Sequence, residues 1–277
     1  MTQVTVEVDC KGCATLLVPN GITTPYDAVA ALDVHGGQIT CVLSEAELGQ
    51  SACLIAPDGP RVTLRYAITP APRDATYPEA IYRLRENQFT VAAAELAEAS
   101  SAIAQKAGGG QQGIAALVAE AESRFSYAHP ESRFNDGMDA VPFLSCGATP
   151  GSCVDINTYL VASLRAAGYQ AGYIYGYFFP QERGGITDDG HCWVVTRHDG
   201  NVLEWDIAHH FKAGLGPTKP GLNPRPGKRF GISHSMGHFY KVSDDATLLK
   251  ILGEPIGYSH SMAPIDPKIT VRMEPWS

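Results

Sequence analysis

Cys153 stands where a cysteine gains nucleophilic character. The run Pro150-Gly-Ser-Cys-Val-Asp-Ile-Asn-Thr-Tyr-Leu-Val-Ala-Ser-Leu-Arg-Ala-Ala-Gly168 reads as a helix that begins just after Ser152. Ser152 can cap it, Asp155 follows three residues on as in a capping box, and Gly168 supplies a left-handed stop. Unpaired backbone N–H groups and the helix dipole at such a start favour the thiolate, the reactive form of cysteine. Ile156, Leu160, Val161 and Leu164 recur at helical spacing, and Cys153 shares their face, so the thiol is expected to point inward.

A thiolate nucleophile needs a base, and the base needs an acceptor on its other nitrogen to orient it. His191 and Asp206 fit these roles if the chain turns at Asp199-Gly200. Arg197 then faces Val202, Val195 faces Glu204, Trp193 faces Asp206 and His191 faces Ala208. His191 and Asp206 become diagonal neighbours on one face, about 7–8 Å apart at the backbone and within side-chain reach. A four-residue loop at 198–201 keeps this register, whereas a three-residue loop at 199–201 sends Asp206 to the opposite face.

The elements that must position these residues are legible in outline. Short strands are predicted at Val4–Val8, Ala14–Val18, Gln38–Leu43 and Arg61–Ile68, separated by turn clusters such as Pro-Asn-Gly at 19–21 and Pro-Asp-Gly-Pro at 57–60. A Pro-rich stretch around 69–78 then gives way to Ala-rich helical segments at 90–107 and 114–126, split by the glycines at 108–110. The expected organisation is a small all-β domain over 1–70, a linker over 71–89 and a catalytic domain over 90–277. Within the last, 127–150 reads as an irregular loop and 171–179 as an aromatic strand.

The string Gly-Ser-Cys153-Val-Asp-Ile-Asn-Thr-Tyr-Leu-Val-Ala-Ser-Leu-Arg-Ala-Ala-Gly-Tyr, followed by Gly-His191-Cys-Trp193-Val-Val and Glu-Trp-Asp206, resembles the transglutaminase-like superfamily core in the order Cys, His, Asp. The resemblance covers about residues 115–210, and the β-rich start with its linker is similar to the N-terminal domain of bacterial members. It implies an α+β, papain-like fold in which the cysteine-bearing helix packs on an antiparallel sheet. It also implies thiolate attack on a carboxamide or peptide carbonyl and a thioester acyl-enzyme resolved by water or an amine. Cys153 is then nucleophile, His191 general base and later acid, and Asp206 the orienter of the imidazole. The backbone N–H of Cys153 is a natural oxyanion donor. Cys192 falls where the family often has a small residue; its parity places it opposite His191, and it is expected to be inert.

Composition limits the alternatives. The 277 residues carry a formal net charge of −8, which disfavours nucleic acid or an anionic membrane as main partner. The N-terminus lacks the pattern of a signal peptide, no run approaches the roughly 18 apolar residues of a spanning helix, and the seven cysteines are odd in number. A cytoplasmic protein with reduced thiols is expected, its oligomeric state open. Cys10-Lys-Gly-Cys13 has the gap of a zinc knuckle, but Cys41 and Cys53 do not form a second such pair, so a turn is favoured over a four-cysteine zinc site. His209-His210 and His234/His238 offer ligand chemistry without a His-Glu-x-x-His pattern. No metal and no cofactor are expected.

Smaller features take structural readings. Asp188-Asp189 reads as a solvated loop, Trp193 as core beneath the triad, and Tyr173, Tyr175 and Tyr177 as one strand face. Residues 221–228 lack the Ser or Thr of a phosphate loop, and 231–237 lack the glycine of a nucleophile elbow. The expected activity is acyl transfer on amide or peptide carbonyls, hydrolytic in preference to crosslinking. Acyl transfer to an amine and a non-catalytic peptide-binding module on the same fold are the alternatives.

Overall fold

The computed structural model describes residues 2–243 and 247–276. Two compact units interleave along the chain: one takes Met1–Ala80, Tyr175–Gly190 and Pro226–Ser277, the other Ile81–Ile174 and His191–Arg225.

The first unit is built on two five-stranded sheets. In one, Thr2–Asp9 lies between Arg61–Pro70 and Ile269–Glu274, with Asp27–His35 and Ile186–Thr187 outermost. In the other, Thr15–Pro19 lies between Gln50–Pro57 and Ile256–Tyr258, with Gly37–Glu45 and Pro264–Ile265 outermost. The alternation that predicted the first strand is physical: Val4, Val6 and Val8 are fully buried while Thr5 and Glu7 stay partly in water. The buried Tyr66 hydroxyl donates to the Pro19 carbonyl at 2.8 Å, tying one sheet to the other.

All four predicted strands are present, joined by Asp27–His35 and Gln50–Pro57, which sequence patterning did not anticipate. Asp27–His35 is an outermost strand with mixed exposure, and its register against Arg61–Pro70 shifts between Val29 and Ala31. A bulge of this kind breaks the period-2 signal. The expected division at 70 and 89 also differs from the observed one. Ile269–Glu274 pairs antiparallel with Thr2–Asp9, from Gln3↔Glu274 to Val8↔Ile269. A chain that returns at its end to its first strand cannot be divided by a single cut, so 175–190 and 226–277 join the first unit.

The second unit holds four helices among the described residues: α1 (Ala94–Lys106), α2 (Gly110–Arg124), α3 (Cys153–Ala166) and α4 (Ile207–Ala213). The glycines at 108–110 separate α1 from α2 as predicted, although α2 starts at Gly110 rather than 114. Helix α3 is central: every residue from Cys153 to Leu164 is buried. It ends in the expected left-handed glycine, Gly168 at φ 84°. The Tyr169 N–H bonds the Leu164 carbonyl and the Gly168 N–H the Arg165 carbonyl, both at 3.0 Å, the paired bonds of a Schellman stop.

The hairpin Gly190–His198/Asn201–Trp205 has the predicted register, with Arg197↔Val202 and Val195↔Glu204 opposite each other. Asp199 and Gly200 form its two-residue loop with φ of 49° and 74°, the left-handed pair that matches strand twist. The ladder ends at Val194↔Trp205. Asp206 leaves the strand and becomes the N-cap of α4, a helix that replaces the expected strand pairing beyond it. Among the described residues no helix is long and apolar enough to cross a membrane.

Candidate active site

Cys153 is the first residue of α3, and its immediate neighbours hold the helix start in place. The Ser152 N–H and hydroxyl both donate to Asp155 Oδ2 at 2.8 Å, so the predicted pairing of these two residues is present. Arg133 Nη1 donates to the same oxygen at 2.9 Å from the irregular loop. This contact was not foreseen, since nothing local connects a loop arginine to a helix cap twenty-two residues away. Its charge offsets that of the buried Asp155 carboxylate.

His191 and Asp206 meet as predicted: Nε2 of the imidazole lies 2.9 Å from Asp206 Oδ2. With Nε2 occupied, Nδ1 is the nitrogen left to face Cys153, whose thiol and the imidazole hold each other's charged forms. Cys153, His191 and Asp206 are 7%, 3% and 0% exposed, so the chemistry sits in a nearly water-free setting. A third residue completes the carboxylate's shell. His209 Nδ1 lies 3.1 Å from the same Oδ2, its backbone N–H donates to Oδ1 at 3.0 Å, and its ring stacks on His191 at 3.9 Å and 5°. Sequence reading noted His209 only as possible ligand chemistry. The signal that could have found it is local: an aspartate at a helix N-cap receives the backbone N–H three residues on, which brings that residue's side chain alongside.

Electrostatics follow from this packing. The Cys153 thiol is held well below the ordinary thiol range, first by a hydrogen bond from the Cys192 side chain and then by His191 as donor and cation, which together overcome burial. Burial pulls His191 down, but the Asp206 charge and hydrogen bond, with Cys153 adding to them, raise it above its ordinary value. Both shifts favour a thiolate–imidazolium pair.

Cys192 corrects an expectation. Expected to be inert on the face opposite His191, its thiol instead bears on the protonation of Cys153. Burial, reinforced by that thiolate neighbour, pushes the Cys192 thiol well above its ordinary value, so Cys192 keeps its proton and donates it. Strand parity was a sound guide to the sheet, but it carries no information on where the first turn of α3 sits against the strand's end.

The other residues singled out fall into place. Trp193 is buried, its ring stacked near His191 at 6.3 Å. Tyr173, Tyr175 and Tyr177 are all buried. Asp188 pairs with Arg183 at 2.6 Å in an exposed position. The Cys13 N–H bonds the Cys10 carbonyl at 2.9 Å, the expected turn. Among the described residues one group of three has metal-ligand chemistry, His191, Asp206 and His209. Its two rings are stacked within 5° of parallel, so an ion in the plane of one lies well out of the plane of the other. Hydrogen bonding to Asp206 fits this geometry, and joint metal ligation does not.

Residues 97–205, which hold Cys153 and His191, match the core model of the transglutaminase-like superfamily. A candidate cysteine protease from Cytophaga hutchinsonii has a similar fold, with a TM-score of 0.53 at 10% identity over 99% of this chain and 90% of that one. The periplasmic domain of TgpA from Pseudomonas aeruginosa also aligns, at 14% identity over 76% of this chain and 88% of that one, with a TM-score of 0.39. No curated protein matches the chain. The fold is α+β, with a strand-rich N-terminal region and a transglutaminase-like core whose cysteine begins α3.

Proposed function

We propose that this transglutaminase-like core is a cysteine acyl-transfer enzyme that cleaves amide or peptide carbonyl substrates through a thioester, with water as the acyl acceptor. The observation that carries the reading is the buried His191–Asp206 pair, 2.9 Å apart, together with Cys153 at the first turn of α3, whose thiol the His191 cation holds down. The Cys153 sulfur attacks the carbonyl carbon, and the developing oxyanion lies by the Cys153 N–H at the positive end of α3. His191 Nδ1–H then protonates the leaving amine as the tetrahedral intermediate collapses to the thioester. The same nitrogen, now bare, takes a proton from water, whose oxygen attacks the thioester and frees Cys153. Throughout, Asp206 holds the Nε2–H and so fixes which nitrogen faces the sulfur.

Hydrolysis is favoured over amine transfer because water needs no binding pocket of its own. The test begins with alkylation of the native protein by a slow thiol reagent across pH, located by peptide mass spectrometry with the other cysteines as references. Cys153 should react well below the roughly 8.5 of a free thiol, and His191→Ala should abolish that advantage. Turnover of small amides and peptides, with and without an added primary amine, then separates the acceptors. Preferential amine incorporation would overturn the hydrolytic reading, and turnover unaffected by Cys153→Ala would leave a binding module.

A further inference from the structure

We propose that Cys153 and Cys192 are a modification site: on meeting a hydroperoxide they form a reversible intramolecular disulfide. The inference rests on reading Cys153 as the thiolate nucleophile, and on where Cys192 is held. Asn157 lies one helical turn beyond Cys153 on the same face of α3, its side chain leaning back toward the helix start. Its amide donates to the Cys192 carbonyl at 2.9 Å and to the Cys192 sulfur at 3.3 Å. The second thiol is therefore held against α3 beside Asn157, one helical turn from the first. Both are buried and unbonded, whereas Cys146, the other cysteine of this unit, is exposed.

The chemistry balances with hydrogen peroxide as oxidant. The Cys153 thiolate attacks one peroxide oxygen; an S–O bond forms, the O–O bond breaks, and the leaving hydroxide departs as water with the proton of His191. His191, now neutral, takes the Cys192 proton. The Cys192 sulfur attacks the Cys153 sulfur, the S–S bond forms, the S–O bond breaks, and the second hydroxide leaves as water with that proton. Two thiols are oxidised to one disulfide and one peroxide is reduced to two waters. A nucleophile with such a neighbour is switched off before it reaches the irreversible sulfinic acid.

The full chain is treated with hydrogen peroxide, blocked with an alkylating reagent after unfolding, and digested without reductant. The expected result is a crosslinked peptide joining residues 153 and 192, with rapid Cys153 labelling restored by dithiothreitol. In Cys192→Ser, Cys153 should instead gain two oxygens, with roughly tenfold less labelling recoverable by reductant. A wild-type Cys153 that gains two oxygens while Cys192 stays alkylatable overturns the proposal and leaves the nucleophile reading intact. A Cys153 that labels no faster than the other thiols before any oxidant overturns both.

Discussion

Asp206→Asn separates charge from shape at the centre of the site. Asparagine caps a helix as well as aspartate does, so the bond from the His209 N–H, and with it the start of α4, should survive. The charge is lost. At about 4 Å between charge centres and an effective dielectric near 20, a carboxylate–imidazolium attraction is worth about 4 kcal/mol, or roughly three pKa units as an upper figure. Burial already pulls His191 downward, so nothing remains to hold it protonated beside Cys153. The amide NH2 also faces Nε2–H as donor against donor, which drives the ring to the tautomer with Nδ1 protonated. That tautomer cannot take a proton at Nδ1, a fault of the kind that costs about 10⁴-fold in turnover in serine proteases. The acid-side midpoint of Cys153 alkylation should move up by about one to three pH units, lowering its rate near pH 6 by roughly 10- to 1,000-fold. Cys146, exposed and remote in sequence, serves as the internal reference. A folded Asp206→Asn protein whose Cys153 midpoint stays put would mean that the Asp206 charge does not sustain the ion pair.

Three other outcomes follow. His209 takes part of the Asp206 hydrogen-bonding capacity, so His209→Ala should raise His191 and shift the alkaline limit of the pair upward by about one pH unit, the worth of one bond to a charged group. NMR titration of the His191 ring reads this directly, and a downward shift would contradict it. Asp27 is pushed up from 3.8 to about 6 by burial, against a hydrogen bond from Thr24. The folded state therefore holds this proton more tightly than the unfolded chain, and stability should fall as pH rises through the window from 3.8 to about 6. Denaturant melts of the wild type and Asp27→Asn across that range should show the decline in the first and its reduction in the second. Tyr66→Phe removes the bond between the two sheets and should cost about 1 kcal/mol in a urea melt while leaving Cys153 alkylation unchanged.

What was legible in the sequence is what local rules write into it. The start of α3, its glycine stop and the two-residue loop at Asp199-Gly200 each depend on residues within a few positions of one another, and all three stand where the patterns placed them. The hairpin then carried that local certainty to a pair fifteen residues apart, because a fixed turn fixes every pair along the ladder, and His191 reaches Asp206. Asp27–His35 escaped, since it has neither steady alternation nor a buried face to enforce it. The closing pairing of Ile269–Glu274 with Thr2–Asp9 escaped for a different reason: an antiparallel partner at the far end of a chain leaves no mark on either strand alone.

The site shows the same boundary at finer scale. Residue types and order supplied Cys153, His191 and Asp206, but the groups around them, Cys192 by the thiol, His209 on Asp206 and Arg133 on Asp155, act through packing between elements. Parity sent Cys192 to the far face of a strand. The thiol nonetheless acts on Cys153, because the reactive sulfur sits on another element, the buried helix whose Asn157 bonds across to the strand at Cys192. A thiolate in such a place needs donors more than it needs a countercharge: in a nearly dry pocket an unsatisfied sulfur anion costs several kcal/mol. The residue expected to be inert is therefore the one whose proton most directly stabilises the reactive sulfur, and its removal should raise the Cys153 midpoint even with His191 and Asp206 in place.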